Sequence, residues 1–320
     1  QGVGILIACR LPKILKGNRL LHTHAWGSRD SKYSWLSKTK STSAVSKQLS
    51  PAPPFYLFIP QDTRRRDEYE AFQKITEVFP YNNMGVTTGN DSQYVAFKLQ
   101  EIDDRFKDRN KIKRYAYRPF DRRFVYYDSK LLARARSNFM ESLIENDNIA
   151  LVTIRRPRNN KVGNFFISNE LTDKCFISSL DNCQVLPLYV FIDFKQHDVQ
   201  KKKIPNLGNS FLRLLCKATG RKAGRYCLPK EISPEEILYY IYGVFYSPGY
   251  RKRFSEFLKV DFARVPVPGN RNIFRAISNL GSKLCSVHLM RSQYLNNFIT
   301  TYNGPKNPAV IKVGWSNCNV

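Results

Sequence analysis

Cations and aromatic side chains alternate along residues 111–127 of this 320-residue sequence. The alternation approaches the two-residue period of a β-strand, so one face of a sheet would bury rings while the other presents charge. Guanidinium groups bind phosphate and donate in pairs to guanine edges, and aromatic rings can wedge between bases. The segment therefore indicates nucleic-acid binding, and a solvated sheet face above an aromatic core is the alternative interpretation. The run reads Lys111-Ile112-Lys113-Arg114-Tyr115-Ala116-Tyr117-Arg118-Pro119-Phe120-Asp121-Arg122-Arg123-Phe124-Val125-Tyr126-Tyr127.

A second basic cluster directly follows an apolar run at 149–154. It contains Arg155, Arg156, Arg158 and Lys161, with two asparagines before the lysine. A loop of this composition after a strand is suited to entering a groove, although basic loops also occur as ordinary surface. We expect weaker phosphate contacts at 201–203 and 221–225.

The whole chain is basic, with 52 Lys and Arg against 26 Asp and Glu and a formal charge of +26. Residues 105–164 alone hold sixteen basic and six acidic side chains. Because 42% of the residues are apolar, which is enough for a packed core, we expect the positive charge to lie on the surface of a folded domain. A folded domain with this excess of positive charge is expected to bind a polyanion. No apolar run approaches the roughly 18 residues of a membrane span, and seven scattered cysteines predict reduced thiols in a cytoplasmic protein.

Signatures of catalysis are absent from the sequence. It has no dinucleotide loop, Walker lysine, H-E-x-x-H or G-x-S-x-G motif, and His22 and His24 have no plausible third ligand nearby. Asp193 and Lys195 resemble the end of a nuclease metal site, but no partner acid precedes them. We expect no catalytic residue, no metal site and no complete active site within this chain.

The elements that would position these groups form an α+β pattern. Strands are predicted at 3–10, 55–59, 114–118, 124–127, 149–155, 164–168 and 185–193, a helix at 63–79 and another from Ser137. Residues 28–54 are polar and end in prolines, which predicts a linker. The chain thus divides into 1–50, a sheet-rich body at 51–230 and a helical region at 231–320.

The helical region contains the clearest local signals. Ser233 and Glu236 form a capping box with Pro234 at the first helical position. A second helix is predicted at 248–258 and a third at 271–290, which would bury Ile273, Phe274, Ile277, Leu280, Leu284 and Val287. Together these elements predict a mixed β-sheet recognition core followed by a helical C-terminal region.

Several motifs resemble the C-terminal specificity domain of type ISP restriction-modification enzymes. The segment at 117–127 is similar to that family's Y-R-P-F-D-x-R-x-x-Y-Y core, and the long motif from Pro234 to Pro268 is the most specific match. Further agreement lies around Gly27, in the loop at 85–91 and at 148–155. The resemblance spans most of residues 2–290.

This resemblance implies sequence-specific duplex DNA binding by a target recognition domain attached to an adenine-specific DNA methyltransferase. S-adenosylmethionine would bind in that upstream domain, and residues 1–50 would hold its last strands and a linker. One departure is Asn90, which stands where the family has an arginine. The alternative is an RNA-binding or stand-alone nucleic-acid-binding module.

The resemblance also implies roles for individual residues. Five arginines would line the DNA face, three would approach base edges or phosphates, and two tyrosines would pack or wedge. If eight phosphates were neutralised, log affinity would fall with log salt at a slope of roughly −7. The complete set is Arg118, Arg122, Arg123, Arg134, Arg136, Arg155, Arg156, Arg158, Tyr126, Tyr127, Lys161, Thr88 and Asn90.

Overall fold

The computed structural model describes residues 6–8, 19–41, 46–53, 56–144, 147–158, 162–192, 202–306 and 308. The chain divides into two compact units, Gln1–Arg64 and Arg65–Val320. The larger unit combines mixed sheets with helices, which confirms the predicted α+β class.

Among its described residues, the smaller unit contains one helix and one two-stranded sheet. Strands β1 (Leu20–His22) and β2 (Lys47–Leu49) are antiparallel, and helix α1 spans Arg29–Lys38. The linker prediction for 28–54 is wrong over α1, because Ser28 caps this helix by accepting from the Ser31 amide at 3.2 Å.

Two strands predicted in this unit are absent from its described residues. Residues 6–8 of the predicted strand at 3–10 have no regular structure, with Leu6 and Ile7 exposed, and residues 56–59 of the second strand are also irregular. The physical reason is that no described strand pairs with these short apolar runs, and a strand requires a hydrogen-bonded neighbour.

Two four-stranded sheets form the body of the larger unit. The first has the order β10-β6-β7-β5, and the second, which is antiparallel throughout, has the order β4-β11-β8-β9. Two small pairs, β12 with β13 and β3 with β14, are the other strands in the described part of this unit. Their bounds are β3 Gln73–Lys74, β4 Asn83–Met84, β5 Val95–Ala96, β6 Ile112–Arg118, β7 Asp121–Tyr126, β8 Ala150–Ile154, β9 Phe165–Ser168, β10 Leu171–Thr172, β11 Cys183–Pro187, β12 Tyr189–Ile192, β13 Lys202–Pro205 and β14 Arg264–Val265.

Strands β6 and β7 are the ones that the alternating basic segment predicted. They form a hairpin in which Arg118 pairs with Asp121, so Pro119 and Phe120 make a two-residue turn. The strands predicted on either side of Pro119 are therefore confirmed. Strand β10 runs parallel to β6 on its other edge.

The second sheet is buried on both faces. Leu151, Phe165 and Leu186 belong to a large core shared with the C-terminal helices, whereas their neighbours Val152 and Phe166 belong to a core shared with β6 and β7. Alternate side chains thus enter different cores, which explains why these strands read as continuous apolar runs.

Ten helices belong to the larger unit among the residues described. Helix α8 begins as predicted, because Ser233 accepts from the Glu236 amide while the Glu236 carboxylate accepts from the Ser233 amide. The bounds are α2 Arg66–Glu70, α3 Ile75–Val78, α4 Asp91–Tyr94, α5 Leu99–Asp103, α6 Ser137–Ile144, α7 Asn209–Thr219, α8 Pro234–Tyr246, α9 Pro248–Arg253, α10 Ser255–Leu258 and α11 Arg271–His288.

The single helix predicted at 63–79 is wrong. Residues Gln73 and Lys74 instead pair with Val265 and Arg264 as β3 and β14, which separates α2 from α3. A pairing partner nearly 200 residues away overrides the local helical periodicity. The predicted helix at 248–258 is likewise divided into α9 and α10.

The buried face of α11 differs in part from its prediction, since Phe274, Ile277 and Leu284 contact the core as expected. Phe274, Ser278, Gly281 and Cys285 are buried, whereas Leu280 is 65% exposed. A Cβ at Gly281 would lie 1.9 Å from the Tyr239 carbonyl oxygen of α8. Close contact between the two helix backbones therefore selects the small residues of α11 for the interface, and Ile273 and Leu280 are left outside.

Candidate nucleic-acid interface

Six residues from the loop before α4, the first position of α4 and the β6–β7 hairpin form what we call the Asp91 cluster: Thr88, Asn90, Asp91, Tyr117, Arg118 and Arg123. The Tyr117 hydroxyl donates to Asp91 Oδ2 at 2.9 Å, and the buried Thr88 hydroxyl donates to Asp91 Oδ1. Burial and this bond to Asp91 raise the pKa of Tyr117. The cluster joins residues that lie up to 35 positions apart in the sequence.

Stacked cations and rings organise one side of the Asp91 cluster. The Tyr117 ring centroid lies 4.1 Å from the guanidinium carbon of Arg118 and 3.9 Å from that of Arg123. Arg123 also stacks on Phe97 at 4.0 Å, and it donates to both Asp121 carboxylate oxygens. Such contacts hold the two guanidinium planes in fixed orientations.

Arg118 is further held by a buried carboxylate. Its Nη1 lies 2.9 Å from Asp173 Oδ1, and the Tyr115 hydroxyl donates to Asp173 Oδ2 at 2.6 Å. The backbone amide of Cys175 donates to the same carboxylate at 2.7 Å. Burial and the neighbouring Asp173 charge raise the pKa of Tyr115 well above its usual value.

Three more of the predicted arginines also have acidic partners. Arg122 lies 3.7 Å from Glu170, and it donates to the Leu289 carbonyl at 3.1 Å. Arg155 lies 2.8 Å from Asp261, and Arg158 lies 3.7 Å from Asp181. With Arg118 and Arg123, five of the eight predicted arginines are therefore ion-paired in the free chain.

The pair formed by Arg155 leads to a pH-dependence prediction. Burial alone would raise the pKa of Asp261, but hydrogen bonds from Arg155 and Lys74 lower it below its usual value. Asp261→Asn is expected to lose about 1 kcal/mol or less at neutral pH, because Arg155 is largely exposed. Since the folded pKa is depressed, this advantage of Asp261 is complete above the unfolded pKa of about 3.9 and disappears as the pH falls through the folded value.

Urea unfolding of both proteins from about pH 7 down to about pH 2 measures this difference. A stability gap that stays constant over the whole range would contradict the assigned ion pairs.

The remaining arginines of the predicted set differ from one another. Arg136 has a φ of +57° and donates to the Gly85 carbonyl and Asn83 Oδ1, both at 3.0 Å, and burial lowers its pKa. Arg134 pairs its backbone with Thr87, and its side chain is exposed. Arg134 and Arg156 are exposed without a side-chain partner among the described residues, so they are the members most available to a ligand.

The remaining predicted residues make internal contacts. Asn90 caps α4 by accepting from the Gln93 amide at 3.2 Å, which is a helix-capping role. Tyr126 is buried and stacks on Phe106 with ring centroids 3.9 Å apart. The Tyr127 hydroxyl donates to the Ala135 carbonyl, and burial raises its pKa to about 12. Lys161 lies outside the described residues.

The acidic partners are what sequence reasoning missed. Asp173 follows Arg118 by 55 residues, and Asp261 follows Arg155 by 106. Only Asp121, two residues before Arg123, lies within the recognised motif. The net charge of a segment does not show which distant carboxylates pair with its arginines, and no local sequence signal marks Asp173 or Asp261 as a partner.

Other features of the described residues bear on the class of protein. No helix among them is both long and apolar enough to span a lipid bilayer. They also contain no group of three or more His, Cys, Asp or Glu residues placed to hold a metal ion.

Comparison with known proteins identifies one family. The family model of the Type ISP C-terminal specificity domain matches residues 99–319. No curated protein sequence matches the chain.

Three solved structures have a similar fold, and each alignment covers 82% of this chain. The ATP-dependent Type ISP restriction-modification enzyme LlaBIII bound to DNA has a TM-score of 0.62 at 16% identity, with 19% of its chain covered. The cryo-EM structure of a DrdV–DNA complex has 0.64 at 16%, with 29% covered. A nuclease-deletion mutant of the Type ISP enzyme LlaGI in complex with a DNA substrate mimic has 0.58 at 18%, with 23% covered. The present chain thus spans less than a third of the length of each.

Proposed function

The chain belongs to the family of Type ISP C-terminal specificity domains, and from this premise we propose that it binds duplex DNA and selects its target sequence. The observation that carries the proposal is the set of arginines held in fixed orientations by carboxylates and rings around Asp91. Guanidinium groups in fixed orientations donate in pairs to phosphate oxygens and to the edges of guanine bases. The formal charge of +26 supports attraction to a polyanion.

We propose further that the chain works beside an adenine-specific DNA methyltransferase domain of the same polypeptide. The three similar solved proteins are much longer than this chain, which supports a neighbouring domain with a separate function in the same polypeptide. S-adenosylmethionine would supply the methyl group in that domain.

A salt titration tests the proposal. Because five predicted arginines must exchange a carboxylate for a phosphate, we expect a slope of log affinity against log salt between roughly −3 and −7 on duplex DNA. Arg134→Gln and Arg156→Gln are each expected to make that slope shallower by about 0.9, since each removes one available phosphate contact. Fluorescence anisotropy of a labelled duplex measures the slopes.

Arg213→Gln is the matched control, because Arg213 is an exposed arginine on α7 at a distance in sequence from the Asp91 cluster. Its slope should equal that of the wild type. A wild-type slope shallower than about −3 on every duplex would refute duplex binding. Binding that survives excess duplex but yields to single-stranded RNA would favour the RNA-binding alternative.

A further inference from the structure

The loop between β7 and α6 presents an apolar side chain among cations. Residues 129–134, which we call the Leu131 loop, read Ser-Lys-Leu-Leu-Ala-Arg and contain no acidic residue. Leu131 is 46% exposed, whereas the next residue, Leu132, is 5% exposed and belongs to the core beneath β6 and β7. One leucine therefore anchors the loop, and the other lies at its surface.

Backbone hydrogen bonds hold both ends of the Leu131 loop. At its start, the Asp128 carbonyl accepts from the amides of Leu131 and Leu132 at 3.1 and 3.0 Å. Towards its end, the Ala133 amide donates to the carbonyl of Thr88 at 3.1 Å, and Thr88 belongs to the candidate interface described above. A loop that is fixed before a ligand arrives loses little conformational entropy on binding.

The two cations of the Leu131 loop are available to a ligand. Lys130 and Arg134 are exposed, and neither side chain forms an ion pair within the part of the chain that the structure describes. The acid that precedes the loop, Asp128, is held by Lys111, whose Nζ lies 2.8 Å from Oδ2, and this bond lowers the pKa of Asp128. The loop therefore presents positive charge that can bind phosphate groups.

An exposed leucine between two such cations matches one feature of duplex DNA. The base edges in the major groove carry hydrogen-bond donors and acceptors, and the 5-methyl group of thymine is the apolar group among them. A leucine that packs on this methyl group removes apolar surface from water and covers no polar atom. At another base it would cover a donor or acceptor that needs a partner, which is unfavourable.

We propose that the Leu131 loop enters the major groove of the bound duplex and that Leu131 contacts the 5-methyl group of one thymine. Lys130 and Arg134 bind phosphate groups of the same duplex, and Leu132 keeps the loop on the protein. This inference rests on the proposed function and adds Leu131 to it as a specificity-determining residue.

Replacement of thymine by uracil, which lacks only the 5-methyl group, tests the contact. A duplex that the 320-residue chain selects from a randomised pool is synthesised with one thymine at a time replaced, and fluorescence anisotropy gives each affinity. We expect one position at which uracil weakens binding by about 4-fold, the effect of one buried methyl group. At that position Leu131→Ala should bind the thymine and uracil duplexes equally.

Two further variants serve as controls. Leu280→Ala removes an exposed leucine from α11 and should keep the full sensitivity to uracil. Lys130→Gln should make the slope of log affinity against log salt shallower by about 0.9 and leave the sensitivity to uracil unchanged. All three side chains are exposed, so thermal unfolding should show that each variant remains folded.

Three results would overturn the assignment: uracil has no effect at any position, Leu131→Ala stays as sensitive to uracil as the wild type, or Leu280→Ala loses the same sensitivity. A rise in the fluorescence of 2-aminopurine in the duplex that requires Leu131 would also overturn it, because the leucine would then insert between base pairs. Binding without any base preference would instead overturn the proposed function.

Discussion

Asp173→Ala is expected to destabilise the chain by about 3–5 kcal/mol, because it removes the carboxylate shared by Arg118 and Tyr115. Asp173 is 7% exposed and the Tyr115 ring is fully buried, so water does not replace the lost partner. The Cys175 amide loses its acceptor as well. Removal of the carboxylate leaves the buried Tyr115 hydroxyl and the Arg118 guanidinium without their acidic partner, and that penalty exceeds the net value of the ion pair itself.

Urea unfolding followed by circular dichroism measures this loss as a lower midpoint at an unchanged m-value. Asp104→Ala is the matched control, since Asp104 is exposed at the end of α5, and its effect should stay within about 0.5 kcal/mol. If Asp173→Ala unfolds at the same urea concentration as the wild type, the carboxylate does not hold the base of the hairpin.

Gly281→Ala is expected to cost about 3 kcal/mol or more, although helix propensity alone favours alanine by about 1 kcal/mol. The added Cβ would lie 1.9 Å from the Tyr239 carbonyl oxygen and 3.1 Å from the Gly243 amide nitrogen. Both atoms belong to the backbone of α8, which cannot rotate away as a side chain does. The helices α8 and α11 would have to separate, and the large core between them would lose contacts.

The matched control for this variant is Gly249→Ala in the first turn of α9. A Cβ there would meet only the Ser247 hydroxyl oxygen at 3.6 Å, which is an ordinary contact. Thermal unfolding should therefore show a lower midpoint for Gly281→Ala and an equal or slightly higher one for Gly249→Ala. A higher midpoint for both variants would mean that the helices are not in backbone contact at Gly281.

Elements whose signals are local were predictable. The strands on either side of Pro119 follow from alternation, and α8 follows from a capping box that requires only Ser233 and Glu236. The helix predicted at 63–79 failed because strand pairing between Lys74 and Arg264 is a long-range interaction. The predicted buried face of α11 is confirmed for Phe274, Ile277 and Leu284. It is wrong for Ile273 and Leu280, because close packing at Gly281 leaves them outside the interface.

The candidate interface was predictable only in part, for a related reason. The sequence by itself determined which segments are rich in arginine and aromatic residues, the α+β class and, through its motifs, the family. Only the tertiary structure decided which arginines are already neutralised, because Asp173, Glu170 and Asp261 reach them from distant parts of the chain. Charge can be counted from composition, whereas its availability depends on distances of a few ångströms that folding alone creates.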